Sequence, residues 1–240
     1  MTDDKFTQAG PLVQVTAGMA AIIPMVALTA WMYVIRDGAP GLAEFFLGPL
    51  LAGGAMIFWL LFLHLVMCRD SLQSLGFRIT GFWRDAATGV VLGFAFLLLK
   101  YLTDPILRGL FEPRPPSEEI MKLIFSVASE PLLLALWLGP VVWIGIAGFE
   151  ELWRVVVLRR FWAVCPGTLG KWGVLLAVSV LIGVAHGYQG PAAIISITIK
   201  SVLMGWFFMV TGRTRPLIVA HALYDSLQIA TAVISIQRMD

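Results

Sequence analysis

Long apolar runs recur along the whole chain, each close to the roughly 20 residues that a helix needs to cross a bilayer. They predict membrane-spanning helices near residues 12–35, 45–67, 86–103, 131–160, 172–188, 191–211 and 216–235. Residues 104–130 are polar and proline-rich, which predicts a loop leading into an amphipathic or partly inserted helix. The sequence leaves open whether an eighth span lies within 120–130. The pattern is that of an all-α polytopic membrane protein with about seven transmembrane helices.

Composition supports the same class of protein. Of the 240 residues, 59% are hydrophobic and only 13% are charged, whereas soluble domains carry about 25% charged residues. The formal net charge of +2 is too small for an electrostatic footprint on nucleic acid, so no nucleic-acid partner is expected. Cys68 and Cys165 stand alone in the sequence and fit neither a metal-binding pattern nor a disulfide framework.

The distribution of lysine and arginine favours an N-terminus in the cytosol, because cytoplasmic loops are enriched in these residues. The N-terminus and the second, fourth and sixth loops together hold nine of them: Lys5, Arg69, Arg78, Arg84, Arg159, Arg160, Lys171, Arg213 and Arg215. The opposite side holds five: Arg36, Arg108, Arg114, Lys122 and Arg238. The larger set is therefore predicted to face the cytosol.

Several ionisable residues lie inside the predicted spans, where a charge costs at least about 2.5–3.5 kcal/mol. At about 1.5 Å per helical residue, most of them fall roughly 9–15 Å from the basic membrane edge, and the first histidine falls roughly 22 Å from it. Three separate helices thus offer ionisable groups that tilting brings to similar depth. The residues are Glu150, Glu151, His186, His221 and Asp225, with Arg154 close by.

Spacing adds local geometry to this set. His221 and Asp225 are four residues apart and share one helix face, so the carboxylate can orient the imidazole. Arg154 lies four residues after Glu150 and three after Glu151, so one glutamate can pair with it while the other points into a cavity. Which glutamate does which stays open.

These residue types can activate water for hydrolysis. A buried carboxylate near an imidazole serves as a general base and then as an acid, and a second imidazole with a polar neighbour can stabilise an oxyanion. The expected reaction is peptide-bond hydrolysis without a covalent intermediate and without a cofactor. The same side chains also bind zinc, so a metal-dependent version stays open. The sequence contains no HExxH motif and no GxSG string, and no second aspartate lies at the depth of Asp225.

Three short motifs on successive helices resemble the CPBP family, which includes CAAX prenyl proteases and bacteriocin-processing or Abi-type proteins. The family pattern is EExxxR, FxxxH and HxxxN or HxxxD. The counterparts are EELWR (150–154), IGVAH (182–186) and HALYD (221–225), and the resemblance covers about residues 130–235. It implies a glutamate-type intramembrane endopeptidase, with residues 1–130 as N-terminal spans and interfacial loop and residues 131–240 as the catalytic helical core.

The resemblance also implies roles for individual residues. Glu150 and His186 position and activate water, His221 and Asp225 stabilise the oxyanion, and Glu151 and Arg154 support them. The first motif is one residue shorter than the family pattern, so either the role of the arginine shifts or Glu151 faces the water instead. An Asp at 225 in place of Asn donates a hydrogen bond only when protonated.

The expected partners are the lipid bilayer and a peptide or membrane-protein substrate. The expected location is the bacterial inner (plasma) membrane. Two alternatives from other classes stay open: a catalytically silent scaffold or immunity-type protein, motivated by the shortened motif, and a proton-coupled transporter, since intramembrane Glu and His also form proton relays.

Overall fold

The computed structural model describes residues 9–30, 41–112 and 118–237, and every regular element in these ranges is helical. The predicted all-α class is confirmed. Three shorter segments connect the helices: a π-helical turn (Leu63–Met67) extends α2, a π-helical segment (Trp137–Gly148) joins α5 to α6, and a 3-10 turn (Gly187–Gln189) lies between α7 and α8. The helices are α1 (Pro11–Ala30), α2 (Leu42–Phe62), α3 (Phe82–Leu110), α4 (Glu118–Ser129), α5 (Pro131–Leu136), α6 (Phe149–Val164), α7 (Gly167–Ala185), α8 (Pro191–Thr211) and α9 (Arg215–Gln237).

Six segments of the described chain are long and apolar enough to cross a membrane, and they match the first six predicted spans. They are α1, α2 with its π turn, α3, the unit from α5 through α6, α7 and α8. The seventh predicted span corresponds to the 23-residue helix α9, which carries His221 and Asp225. Helix α4 has only 12 residues, too few for the eighth span.

Some of the residues used in the sequence predictions lie outside the described ranges. Residues 31–35 of the first predicted span belong to this group. So do four of the charges counted for orientation: Lys5, Arg36, Arg114 and Arg238.

Helix α6 lies at the centre of the bundle. Every residue from Glu151 to Arg160 is buried, and α6 packs against α1, α2 and α7. A helix enclosed by other helices can carry charged side chains, because they face protein partners instead of lipid. The position of α6 therefore explains how the predicted span 131–160, which holds more charged residues than any other predicted span, is accommodated.

A kink separates α5 from α6. Pro140 lacks an N–H for the helical ladder, and the preceding Gly139 has non-helical backbone angles (φ −89°, ψ −106°). The chain then follows a π-helical path as far as Gly148, immediately before the first motif. The π-helical path also passes very close to α2, since a Cβ atom on Gly53 would lie 2.7 Å from the Cα atom of Gly145.

Polar contacts fasten the loop after α2 and the start of α3 to the loop before α9. Asp85 accepts a hydrogen bond of 2.7 Å from Arg213 and lies 3.7 Å from Arg215. The Thr214 hydroxyl donates to the backbone carbonyl of Leu75. These contacts place the second and sixth loops at the same end of the bundle, as the charge pattern predicts.

Arg160 corrects one part of that charge pattern. The charge pattern predicts Arg159 and Arg160 in a loop, but both lie within α6 and are buried. The guanidinium of Arg160 contacts Gln14 of α1 at 2.8 Å, His64 of the α2 extension at 2.8 Å and Asp70 at 2.5 Å. Because these partners satisfy its charge, Arg160 can lie inside the bundle.

Candidate active site

Three helices bring the predicted site residues into one cluster. Glu150 and Glu151 lie in the first turn of α6, His186 caps the end of α7, and His221 and Asp225 lie on α9. All five side chains are linked by distances of 4.0 Å or less. The cluster combines one buried and two partly exposed carboxylates with two imidazoles.

Glu150 lies between the two imidazoles. Its Oε1 is 3.9 Å from His186 Nε2, and its Oε2 is 4.0 Å from His221 Nε2. Both distances are too long for direct hydrogen bonds and suit a bridging water. The Glu150 and His186 side chains are 16% and 20% exposed, so this part of the cluster is open to a small molecule.

A hydrogen bond to its own helix orients His186. Its Nδ1 lies 2.8 Å from the carbonyl oxygen of Ile182. A carbonyl oxygen only accepts, so Nδ1 donates and Nε2 of the neutral ring is left as an acceptor facing Glu150. Beyond His186 the chain turns away sharply, through Gly190 at φ 95° into Pro191, the first residue of α8.

Glu151 is fully buried and serves a different purpose from Glu150. One of its oxygens accepts from Arg154, and the other accepts from His221 Nδ1 at 2.7 Å. The arginine pairs with the second glutamate at a spacing of three residues, so the shortened motif keeps a Glu–Arg pair. Glu150 is the glutamate left facing the open side of the cluster.

His221 is held from both sides. Nδ1 of His221 donates to Glu151. Nε2 of the same ring lies between the Asp225 carboxylate, at 3.4 Å, and the Glu150 carboxylate. A proton on Nε2 is therefore attracted by negative charge on two sides. His221 is suited to donating a hydrogen bond, while His186 is suited to accepting one.

An apolar groove of about 440 Å³ runs beside the His186 end of the cluster. One wall is α1, at Met25 and Val26, and the other is the end of α7 with the following turn, at Ala185 and Tyr188. Trp153 closes the groove from α6 and donates its indole N–H to the α1 backbone at 2.9 Å. The groove can hold an apolar group close to the ionisable cluster.

Sequence reasoning missed two polar features. It gave no role to Lys200, whose Nζ lies 4.2 Å from the centre of the Tyr224 ring, one residue before Asp225. It also overlooked His64, which is buried with Arg160. In both cases the available signal was a single polar residue within a long apolar run, the same signal that identified His186.

Within the described residues, no group of three or more His, Cys, Asp or Glu side chains has the arrangement of a metal site.

Comparison with protein families supports the motif resemblance. The model of the Rce1-like family, described as type II CAAX prenyl endopeptidase Rce1-like, matches residues 131–227. This range contains α5 to α8 and the first half of α9, and with them the whole ionisable cluster. The predicted relationship to the CPBP family is thereby confirmed. No curated protein and no solved structure matches the chain significantly.

Proposed function

We propose that this integral membrane protein is an intramembrane endopeptidase that hydrolyses peptide bonds with activated water. The match of residues 131–227 to the Rce1-like family model supports a function of this type. One observation carries the proposal: Glu150 is placed 3.9 Å from His186 and 4.0 Å from His221, a spacing that accommodates a water molecule. A carboxylate and an imidazole at these positions are the groups that general-base hydrolysis requires.

In the proposed reaction, Glu150 and the Nε2 acceptor of His186 hold the water between them. Glu150 takes a proton as the water oxygen attacks the peptide carbonyl carbon. The carbonyl oxygen becomes an oxyanion, which the Nε2–H of His221 stabilises. Glu150 then delivers its proton to the amide nitrogen as the C–N bond breaks, releasing an amine and a carboxylic acid.

Glu151, Arg154 and Asp225 act through His221. Glu151 fixes the ring by accepting from Nδ1 and is itself neutralised by Arg154. Because Nδ1–H is donated to Glu151, a proton on Nε2 makes His221 an imidazolium. Asp225, 3.4 Å from Nε2, attracts that proton in the resting site, and the oxyanion competes for it during the reaction. In this assignment Asp225 orients His221 and leaves oxyanion stabilisation to the imidazole.

The apolar groove supports a substrate that meets the site from within the bilayer. Its walls include Met25 of α1 and Ala185 of α7, which are two of the segments able to cross a membrane. A peptide or protein tail with an apolar group near the scissile bond fits this groove, because the apolar group contacts the groove walls while the peptide bond reaches Glu150.

Proteoliposomes provide the test. Peptides released from a membrane-protein mixture by the wild type are compared by mass spectrometry with those released by Glu150→Gln and His186→Ala. Both variants should lose cleavage while inserting and unfolding like the wild type, and Glu118→Gln, at an exposed position on α4, should cleave normally. Full cleavage by both site variants contradicts the proposal, and a wild type that releases no peptides leaves a catalytically silent scaffold as the alternative.

A chelation experiment separates the two chemical versions of the enzyme. With water activated by Glu150 and His186 alone, strong chelation should leave the cleavage rate unchanged. Loss of activity that added zinc restores would instead assign the Glu/His cluster to a metal ion.

We also propose a bacterial inner membrane location with a cytosolic N-terminus, on the strength of the lysine and arginine distribution. The loop after α2 then faces the cytosol. A cysteine introduced at Ile79, which is 89% exposed in that loop, should react with a membrane-impermeant reagent in inverted vesicles and stay unlabelled in intact cells. The reverse labelling pattern contradicts this orientation.

A further inference from the structure

We propose that Arg154, Ser179 and Ser201 bind one buried water molecule between α6, α7 and α8, and that this water positions Arg154. The water is a lasting part of the folded protein and is distinct from the water that Glu150 activates. Its effect on catalysis rests on the proposed function, whereas the water site itself does not.

Helices α6, α7 and α8 meet at Gly205. A Cβ atom on this glycine of α8 would overlap the Leu175 side chain of α7 and would lie 3.4 Å from Cδ1 of Leu158 on α6. Each helix runs antiparallel to the next, because short turns join them. The start of α6, the end of α7 and the start of α8 therefore lie together, on the side of the ionisable cluster.

One helical turn nearer to this cluster, the same three helix faces carry Arg154, Ser179 and Ser201. Each of them lies four residues from the residue of its own helix that forms the contact, and residues four apart share a helix face. A further turn along, Gly183 of α7 packs so closely on α8 that a Cβ atom there would overlap Thr198. The two serines therefore face each other between two close contacts of the same pair of helices.

All three polar side chains are buried. The two serines are fully buried, and Arg154 is 1% exposed. Within the described part of the chain, Ser179 Oγ, Ser201 Oγ and Arg154 Nε have no hydrogen-bond partner, so the two hydroxyls do not bond to each other either. Buried polar atoms of folded proteins nearly always have a protein or water partner. These three atoms therefore require a partner from outside the chain.

The two serine hydroxyls are not turned back on their own helices. Several other helical hydroxyls donate to the carbonyl oxygen four residues earlier: those of Thr29, Thr88, Thr103, Ser126, Ser129 and Thr211. Such a local bond satisfies a hydroxyl inside a helix. Ser179 and Ser201 lack it, so both hydroxyls are left for a partner between the helices.

Water suits this set of atoms better than an ion does. A serine hydroxyl both donates and accepts a hydrogen bond, and the Nε–H of Arg154 donates one. A buried water needs about two to four such partners, and the three helices supply three. The positive charge of Arg154 repels a cation, and an anion is not required because Glu151 already neutralises the guanidinium.

The water completes the contacts of the guanidinium of Arg154. Its Nη1 donates to Glu151 and lies 3.7 Å from Sδ of Met204, and its Nε donates to the water. Because the guanidinium is held on two sides, its plane is fixed, and with it the Glu151 carboxylate that accepts from His221. The two serines are thus positioning residues, which act on His221 through Arg154 and Glu151.

A crystal structure of the full chain, grown from a lipid phase at a resolution that shows ordered water, tests the site directly. One peak of density should lie within about 3.2 Å of Ser179 Oγ, Ser201 Oγ and Arg154 Nε. The double variant Ser179→Ala/Ser201→Ala should lose this peak. A direct hydrogen bond between the serines, or donation by each serine to its own helix, with no peak between them, overturns the water site.

Cleavage kinetics in proteoliposomes test the positioning role. In the double variant, kcat per folded protein should fall roughly tenfold while KM stays unchanged, because hydrogen bonds that orient the site are lost. Ser126→Ala, which removes a hydroxyl bonded to its own helix, should change neither constant. An unchanged kcat in a double variant that lacks the water overturns the positioning role.

Ser201→Cys separates hydrogen bonding from packing. Cysteine fills the space of the serine side chain but is a weak donor and acceptor, so kcat should fall as far as in Ser201→Ala. A normal kcat in the cysteine variant, together with a loss in the alanine variant, would assign the loss to packing and contradict the positioning role. A wild type that shows the water but cleaves no peptide refutes the proposed function and supports the water site.

Discussion

His221 Nδ1 and Glu151 Oε1 lie 2.7 Å apart although 70 residues separate them in the chain. This hydrogen bond joins α9 to the central helix α6 and fixes the face that the imidazole presents. Because Arg154 neutralises the same carboxylate from the other side, the three side chains form one buried unit. The unit positions His221 for the site, and its integrity depends on every member being paired.

Arg154→Met tests this dependence. Removing the guanidinium leaves the buried Glu151 carboxylate with His221 as its one charged partner, which should lower the free energy of unfolding by about 3–5 kcal/mol. Thermal unfolding of the purified protein in detergent measures the loss. The double variant Glu151→Leu/Arg154→Met should recover much of the stability, because the two opposite charges are removed together and His221 keeps Asp225 at 3.4 Å. A single variant that unfolds like the wild type would show that the pair contributes nothing.

The shortened motif shows how far the sequence could define this unit. Spacing allowed Arg154 to pair with either Glu150 or Glu151, since residues three and four apart both meet on a helix face. What decides between them is the position of His221, whose Nδ1 occupies the second oxygen of Glu151. That information lies on another helix, so no local pattern could supply it. The similar depth of the ionisable residues in the membrane was sufficient to predict that the three helices meet.

Asp225→Asn tests the role of the last motif residue. An asparagine keeps the size of the side chain and supplies an N–H donor, so the variant should cleave at least as fast as the wild type. Asp225→Leu removes the partner of His221 Nε2, which lies 3.4 Å away in the wild type, and should lower kcat roughly a hundredfold. Cleavage kinetics of both variants in proteoliposomes give the comparison. A loss in Asp225→Asn as large as in Asp225→Leu would mean that the negative charge is required.

The sequence predicted the helices well but misplaced a buried charge, and the difference has a physical reason. Span length follows from bilayer thickness, so apolar runs located the helices. Arg160, by contrast, follows a long apolar stretch near the end of α6, a position typical of a membrane edge, and was assigned to a loop. Its partners Gln14, His64 and Asp70 come from distant parts of the sequence. Burial of a charge depends on such partners and cannot be read from one segment.

Arg160→Gln should therefore destabilise the fold without abolishing catalysis. The change leaves the Asp70 carboxylate, 7% exposed, without its guanidinium partner, at a cost of about 3–5 kcal/mol. A matched control is Arg108→Gln, because Arg108 is 68% exposed and lies 3.8 Å from Asp104; an exposed pair of this kind contributes about 0–1 kcal/mol. Unfolding midpoints measure both variants, and kcat at a temperature where each is folded should match the wild type. Equal stability of the two variants would refute a structural role for the Arg160 cluster.

Gly53→Ala tests the close contact between α2 and the π-helical segment that leads to Glu150. A Cβ atom at position 53 would lie 2.7 Å from the Cα atom of Gly145, so backbone must move apart. We expect a loss of about 1–3 kcal/mol in stability. Because the displaced segment runs directly into the turn of α6 that carries Glu150, kcat should fall as well, by up to about a hundredfold. Gly54→Ala is the control, since nothing lies within 4 Å of a Cβ there. If both alanine variants unfold and cleave alike, the contact does not position the site.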